Sequence, residues 1–347
     1  MKAAILTAVN APLVVADVTL PEKLEYGQVL VRVLVSGICG AQLQEIAGLK
    51  GNADHMPHLL GHEGCGIVEE IGPAVTRVKP GDKVVMHWRK AEGIEAPFPE
   101  YGWKHAKEPG SYTVNELVGG GRVTTLCEQA VISENRLTPV PADTPPELCA
   151  LLGCSLSTAL GTIESAAAVK FGESVLIVGV GGLGCNLIRC ASMTNAFPIT
   201  ATDIHDEKRN LALIMGADFF FNTAKKPVTG TFDVIIETSG QGIESALPHL
   251  APSGRFIMVG QPKPGQAVVM EDACHMFQGD GKHICATQGG GFRPHLDIPR
   301  YLRLNKAGIL DTGGIITRRL SLDDINVGID LVRAGQAGRV LIEMAKA

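Results

Sequence analysis

The stretch SVLIVGVGGLGCNLIRCA, residues 174–191, constrains the fold more than any other in this chain. An apolar, β-branched run ends at Gly179, and a helix-like pattern starts within five residues. A lone G-x-G-x-x-G means little, but one that closes a strand and opens a helix has a physical purpose. Gly179 permits a tight turn, Gly181 lets the backbone approach a pyrophosphate, and Gly184 allows close helix–strand packing. Gly182 and Leu183 lie on the same turn. The helix N-terminus behind them favours negative charge. Asp203 ends the next apolar run, where a carboxylate accepts a hydrogen bond from an adenosine ribose 2′-OH and repels a 2′-phosphate. Ile204, His205 and Asp206 supply no arginine for such a phosphate, so the expected cofactor is NAD(H) rather than NADP(H).

Around this turn the chain alternates. Apolar runs occur at residues 174–179, 198–203, 218–222, 233–239, 255–260 and 283–288, with helix-like segments such as Leu183–Thr194 and Glu207–Met215 between most of them. That pattern predicts an α/β fold with a doubly wound, parallel, six-stranded Rossmann sheet. Residues 1–145 are β-rich and turn-rich, and the texture changes near PADTPPELCALLGC. The expected domains are 1–150, completed by a returning tail at 291–347, and a dinucleotide domain at 151–290. Residues 87–127 read as an irregular lobe, with Pro97, Pro99, Pro109 and three glycines at 119–121.

The net charge of −5 is spread along 347 residues without a basic tract, which argues against a nucleic-acid partner. No apolar segment approaches the ~18 residues of a membrane helix, and no secretory leader pattern opens the sequence. The odd count of nine cysteines has no tight spacing, which argues against a disulfide scaffold and for a reducing cytoplasm.

A second constellation lies outside the glycine turn. Cys39 follows an apolar strand, His62 and Glu63 stand in LLGHEGCGIVEEIG, and Cys154 stands in LLGCSLSTALG. Thiolate, imidazole and carboxylate together suit Zn²⁺. Their separation in sequence leaves two readings open, a metal centre or buried thiols beside a structural histidine.

These segments have a further property in common. GICG at Cys39, GHEGCGIVEEIG, the V-x-x-V-K-P-G-D-K-V run from Val75 to Val84, LLGCSLSTALG, GVGGLG and AGRVLIEM follow one another over almost the whole chain. In that order and spacing they resemble the zinc-dependent alcohol dehydrogenases of the medium-chain dehydrogenase/reductase superfamily. The resemblance implies a β-rich, GroES-like catalytic domain beside the Rossmann domain. It implies a catalytic zinc on Cys39, His62 and Cys154, with Glu63 an occasional fourth ligand. It also implies that Thr158 touches the nicotinamide and that the region of Arg293 covers it. The implied activity is hydride transfer between NAD and a small alcohol or carbonyl, in a homodimer or homotetramer.

Two departures stand out. Relatives usually carry Ser or Thr, then Asp, and often a His after the first cysteine, and use the hydroxyl and the His to move the alcohol proton. Here Ala41, Gln42 and Gln44 stand there. His87, His58, His55 and Glu63 are the candidate replacements, with His87 and Arg89 expected near the zinc. The two Gln residues and the polar lobe suggest a polar substrate such as a sugar, polyol or aminocyclitol derivative. The alternatives are a carbonyl reductase or multistep enzyme with another proton route, and a non-catalytic NAD(H)-binding protein. The second departure is the lack of any cysteine between Val84 and Leu126, where many relatives bind a structural zinc, so one zinc per chain is expected.

Overall fold

The computed structural model describes residues 1–51, 53–106 and 113–345. They form two compact units. The first comprises Met1–Cys154, Arg293–Pro299 and the tail from Arg318; the second comprises Ser155–Phe292 and Arg300–Thr317.

The first unit is built on the strand Gln28–Ile38, whose sequence QVLVRVLVSGI is rich in β-branched residues. It pairs antiparallel with Glu63–Ile71 and also with Gln129–Ser133 and Arg339–Glu343. Lys83–His87 and Leu137–Val140 extend this sheet beyond Glu63–Ile71. Five further strands, Lys2–Leu6, Val14–Thr19, Glu100–Ala106, Thr113–Gly119 and His58–Leu59, close into a barrel. The shared core includes Ile5, Val29, Val31, Tyr101, Ile132 and Ile342. The lobe expected to be irregular therefore contains a hairpin, in register from Glu100 opposite Gly119 to Ala106 opposite Thr113. The cause is period-two burial: Tyr101 and Trp103 point inward while Glu100 and Lys104 face water. Residues 107–112 of the lobe lie outside the described residues.

The second unit holds six parallel strands in the order Phe219–Asn222, Ile199–Asp203, Val175–Val178, Phe232–Glu237, Leu250–Met258, His283–Ala286. Each overlaps one of the apolar runs, although Leu250–Met258 starts five residues before its run at 255–260. The order reverses at Val175–Val178, where the glycine turn stands. One expectation fails: residues 291–347 do not all return to the first unit. Arg300–Thr317 packs with the second, where Arg300 pairs with Glu164 and Tyr301, Leu310 and Ile315 are buried. No single helix among the described residues is long and apolar enough to cross a membrane.

Candidate active site

Three separate elements of the first unit bring their ends together. The strand Gln28–Ile38 delivers Cys39, which caps the helix Gly40–Ile46 in an extended conformation. His62 immediately precedes the strand Glu63–Ile71, and Cys154 ends the helix Pro146–Gly153. Gly153 allows this last approach, because a Cβ there would stand 2.4 Å from the carbonyl oxygen of Met86. One donor atom from each of Cys39, His62 and Cys154 lies within 4.8 Å of the others. All three side chains are half-buried, so the donors remain reachable.

The electrostatics suit a cation. Sγ of Cys39 and Sγ of Cys154 are 3.9 Å apart. The hydrogen bond from Cys154 draws the Cys39 thiol well below the usual range, while the same bond and burial push Cys154 well above it. Burial opposes charge on His62, but Cys39, Glu63 and Glu45 outweigh it and shift the imidazole upward. Two soft sulfurs and an imidazole are a donor set for Zn²⁺ with a position left for substrate.

Glu63 behaves differently. Its fully buried carboxylate is held at both oxygens by the Arg339 guanidinium, itself buried. Burial raises the Glu63 pKa, against the pull of Arg339. Glu63 is thus engaged with an arginine and stands outside the three-donor group. To serve as an occasional fourth ligand, this carboxylate would first have to leave a buried partner.

In the second unit the glycine turn has the geometry its sequence demands. Gly179 has φ +94°, and a Cβ on Gly184 would lie 1.9 Å from the Gly179 carbonyl oxygen. Nothing stands within 4 Å of a Cβ built on Gly181, which leaves open backbone at the mouth of the helix Gly182–Met193. Leu183 follows in the first turn, half-buried. The carboxylate of Asp203 accepts the Val180 N–H at 2.8 Å on one oxygen. Its other oxygen takes the His205 N–H at 3.1 Å and His205 Nδ1 at 3.0 Å. A carboxylate offers about four acceptor positions, so room remains for a ribose hydroxyl. Thr158 is buried on the helix Ser155–Gly161 of the same unit. Open backbone, helix N-terminus and acidic residue fit a dinucleotide.

Comparison with known proteins agrees with both halves of this picture. Residues 25–142 match the alcohol dehydrogenase GroES-like domain family, and residues 182–302 match the zinc-binding dehydrogenase family. The chain belongs to the zinc-dependent alcohol dehydrogenases. It is an oxidoreductase of the medium-chain dehydrogenase/reductase superfamily. It is 27% identical to the NDMA-dependent alcohol dehydrogenase of Amycolatopsis methanolica, over 98% of both chains. It is 26% identical to the S-(hydroxymethyl)glutathione dehydrogenase of Paracoccus denitrificans, over 98% of this chain and 99% of that one. The benzyl alcohol dehydrogenase of Acinetobacter calcoaceticus shares the fold, with a TM-score of 0.84, 24% identity and 99% coverage of both chains.

Other expected site residues of this dehydrogenase fall elsewhere. His87 is fully buried, with Nδ1 2.7 Å from the Arg89 carbonyl oxygen and Nε2 2.9 Å from Thr138 Oγ1. Burial pushes its pKa down to about 3. With both nitrogens occupied and no path to solvent, it is corrected from proton carrier to structural histidine. Arg293 is exposed and lies in the first unit, its N–H bound by Asp297 at 2.6 Å. His55 is exposed on a short turn, and His58 lies in a barrel strand.

Two residues, Arg339 and Lys208, escaped the sequence reading altogether, and so did the contacts of a third, Gln42. Arg339 had its signal in AGRVLIEM, as a charge inside an apolar strand. Lys208 is buried close enough to Asp203 to feel its charge, and burial lowers its pKa. Gln42, read as a sign of a polar substrate, is fully buried, and it touches Cys39 and His62. Its signal was its position, third in the helix after Cys39, where Gln or Glu reaches back to the cap.

Proposed function

We propose that this dehydrogenase transfers hydride between a polar alcohol and NAD, with Cys39, His62 and Cys154 as ligands to one zinc per chain. The observation that carries this reading is the convergence of those three donors within 4.8 Å. Bound zinc would supply a Lewis acid for an alcohol or carbonyl oxygen, and NAD the hydride acceptor. The residues of the chain do the rest. Cys39, His62 and Cys154 fix the metal and with it the substrate oxygen. Gly179, Gly181, Gly182, Leu183 and Gly184 seat the pyrophosphate at a helix N-terminus, and Asp203 selects a ribose without a 2′-phosphate. Thr158 serves the nicotinamide end, and Arg293 is a candidate for contact there. Arg339 neutralises Glu63, which keeps that carboxylate off the metal in the resting protein. No cysteine between Val84 and Leu126 supports the reading of a single zinc.

A polar substrate, such as a sugar, polyol or aminocyclitol derivative, is the class we favour. A relative named for S-(hydroxymethyl)glutathione supports a polar alcohol. Ala41 lacks the hydroxyl of the usual proton relay, so the alcohol proton leaves by another route. A second reading is a carbonyl reductase or multistep enzyme of the same fold, whose proton is likewise carried by another route. The nine free cysteines support a reducing, cytoplasmic compartment. The edge strand His283–Ala286, with exposed Val269, Met270 and Phe277 in the same unit, supports a homodimer or homotetramer.

Metal analysis of the purified protein, followed by NADH formation across an alcohol and polyol panel, tests the reading. One zinc per chain and NAD-dependent turnover are expected. Failure to bind zinc when zinc is supplied would refute the ligand set, and preference for NADP would refute the role of Asp203.

A further inference from the structure

The amide of Gln42 sits between two of the metal donors. Its Oε1 accepts the Cys39 N–H at 2.8 Å, and its Nε2 lies 2.6 Å from Nδ1 of His62. The side chain is fully buried, so water does not compete for either bond. A backbone N–H can only donate, which turns the amide oxygen toward Cys39 and the NH₂ toward His62. An NH₂ group also only donates. Nδ1 of His62 must then accept, and the proton of neutral His62 lies on Nε2. With Nδ1 taken, Nε2 is the ring nitrogen left for a metal, and a protonated ring nitrogen has no lone pair to offer.

A carboxylate at this position would meet no such conflict. Its two oxygens would accept from Cys39 N–H and from His62 Nδ1–H together, leaving Nε2 free for the metal. Gln42 has a single acceptor oxygen for two donors. Glu45 offers the amide NH₂ another contact at 3.5 Å, but that contact adds no acceptor to the amide.

We propose that Gln42 is a positioning residue that sets the His62 tautomer against metal binding, so that this centre holds zinc weakly and exchangeably. The proposal rests on the zinc-ligand reading above. Were zinc bound at Nε2, the ring proton would have to lie on Nδ1, where it would face the amide NH₂. The amide then turns over and abandons Cys39, or stays and leaves Nδ1–H without an acceptor. Either way one buried hydrogen bond is lost in the loaded state, and the loss appears as weaker zinc binding.

Competition against a chromophoric chelator on wild type and Gln42→Glu measures this. The substitution keeps the length and the bond from Cys39 N–H, and gives His62 Nδ1–H an acceptor. Gln42→Glu is expected to hold zinc about 10–100-fold more tightly and to release it more slowly. Equal affinity in the two proteins would overturn the role of Gln42 while leaving the ligand set intact; zinc bound by neither would overturn both. Nitrogen-15 NMR of the zinc-free proteins, with His62 assigned by its absence in His62→Asn, reads the tautomer directly. The proton is expected on Nε2 in wild type and on Nδ1 in Gln42→Glu. An Nδ1–H tautomer in wild type would overturn the proposal.

Discussion

Sγ of Cys39 and Sγ of Cys154 lie 3.9 Å apart although 115 positions separate them in the chain. Two thiolates at that distance repel strongly, so the second ionises fully only when a cation stands between them. Cys154→Ser should therefore reduce bound zinc from one per chain to near zero. Turnover should fall by about 10³-fold, the several kcal/mol that a Lewis acid contributes to the transition state. Elemental analysis and steady-state rates on the same preparation check both.

The Glu63–Arg339 pair is buried on both sides, with side-chain exposures of 0% and 4%. Removing one partner strands the other charge. Arg339→Ala is expected to destabilise the first unit by about 3–5 kcal/mol, whereas Glu63→Gln with Arg339→Met should come close to wild type. Urea unfolding curves of the three proteins decide it. A single substitution that cost no more than the double would show that the pair is not isolated from water.

His87 is neutral in the fold, with a pKa of about 3 against an ordinary 6.5. The unfolded chain takes up this proton as pH falls below 6.5, and the folded chain does so only near 3. Stability from this site is thus complete above pH 6.5 and declines as pH drops toward 3, by up to about 1.4 kcal/mol per pH unit. His87→Gln can still donate to the Arg89 carbonyl and accept from Thr138. It should flatten the acid limb of the urea midpoint while leaving the pH profile of turnover in place. A changed turnover profile would return His87 to the reaction.

Asp203 supports the Val180 N–H and, in our reading, the cofactor ribose. Asp203→Asn keeps an acceptor for Val180 but loses the charge. KM for NAD should rise about 10–100-fold, with KM for NADP changed less. Equal changes for both cofactors would place the effect in the turn rather than in ribose selection.

The Rossmann unit was legible strand by strand, because a parallel sheet buried on both faces writes itself as continuous apolar runs. The glycine turn was legible for a different reason: a Cβ at Gly184 would meet the Gly179 carbonyl oxygen, and the glycines stand between a strand-like run and a helix-like one. The hairpin of Glu100–Ala106 and Thr113–Gly119 was hidden by neighbouring Pro and Gly, although Tyr101 and Trp103 keep the period of two. The donors Cys39, His62 and Cys154 could be named individually, but their meeting depends on pairings between strands far apart in sequence. What sequence could not supply was the direction of side chains. His87 turned into the core toward Thr138, Gln42 turned back toward His62, and Glu63 found its partner in the last strand.

That last strand has a bearing on how the protein is made. Arg339 enters the sheet through Arg339–Glu343, paired with the end of Gln28–Ile38. A ribosome has synthesised Cys39, His62 and Cys154 long before it reaches the arginine that neutralises the carboxylate beneath them. Until Arg339–Glu343 has been synthesised and paired with Gln28–Ile38, the Glu63 carboxylate lacks Arg339 beside it.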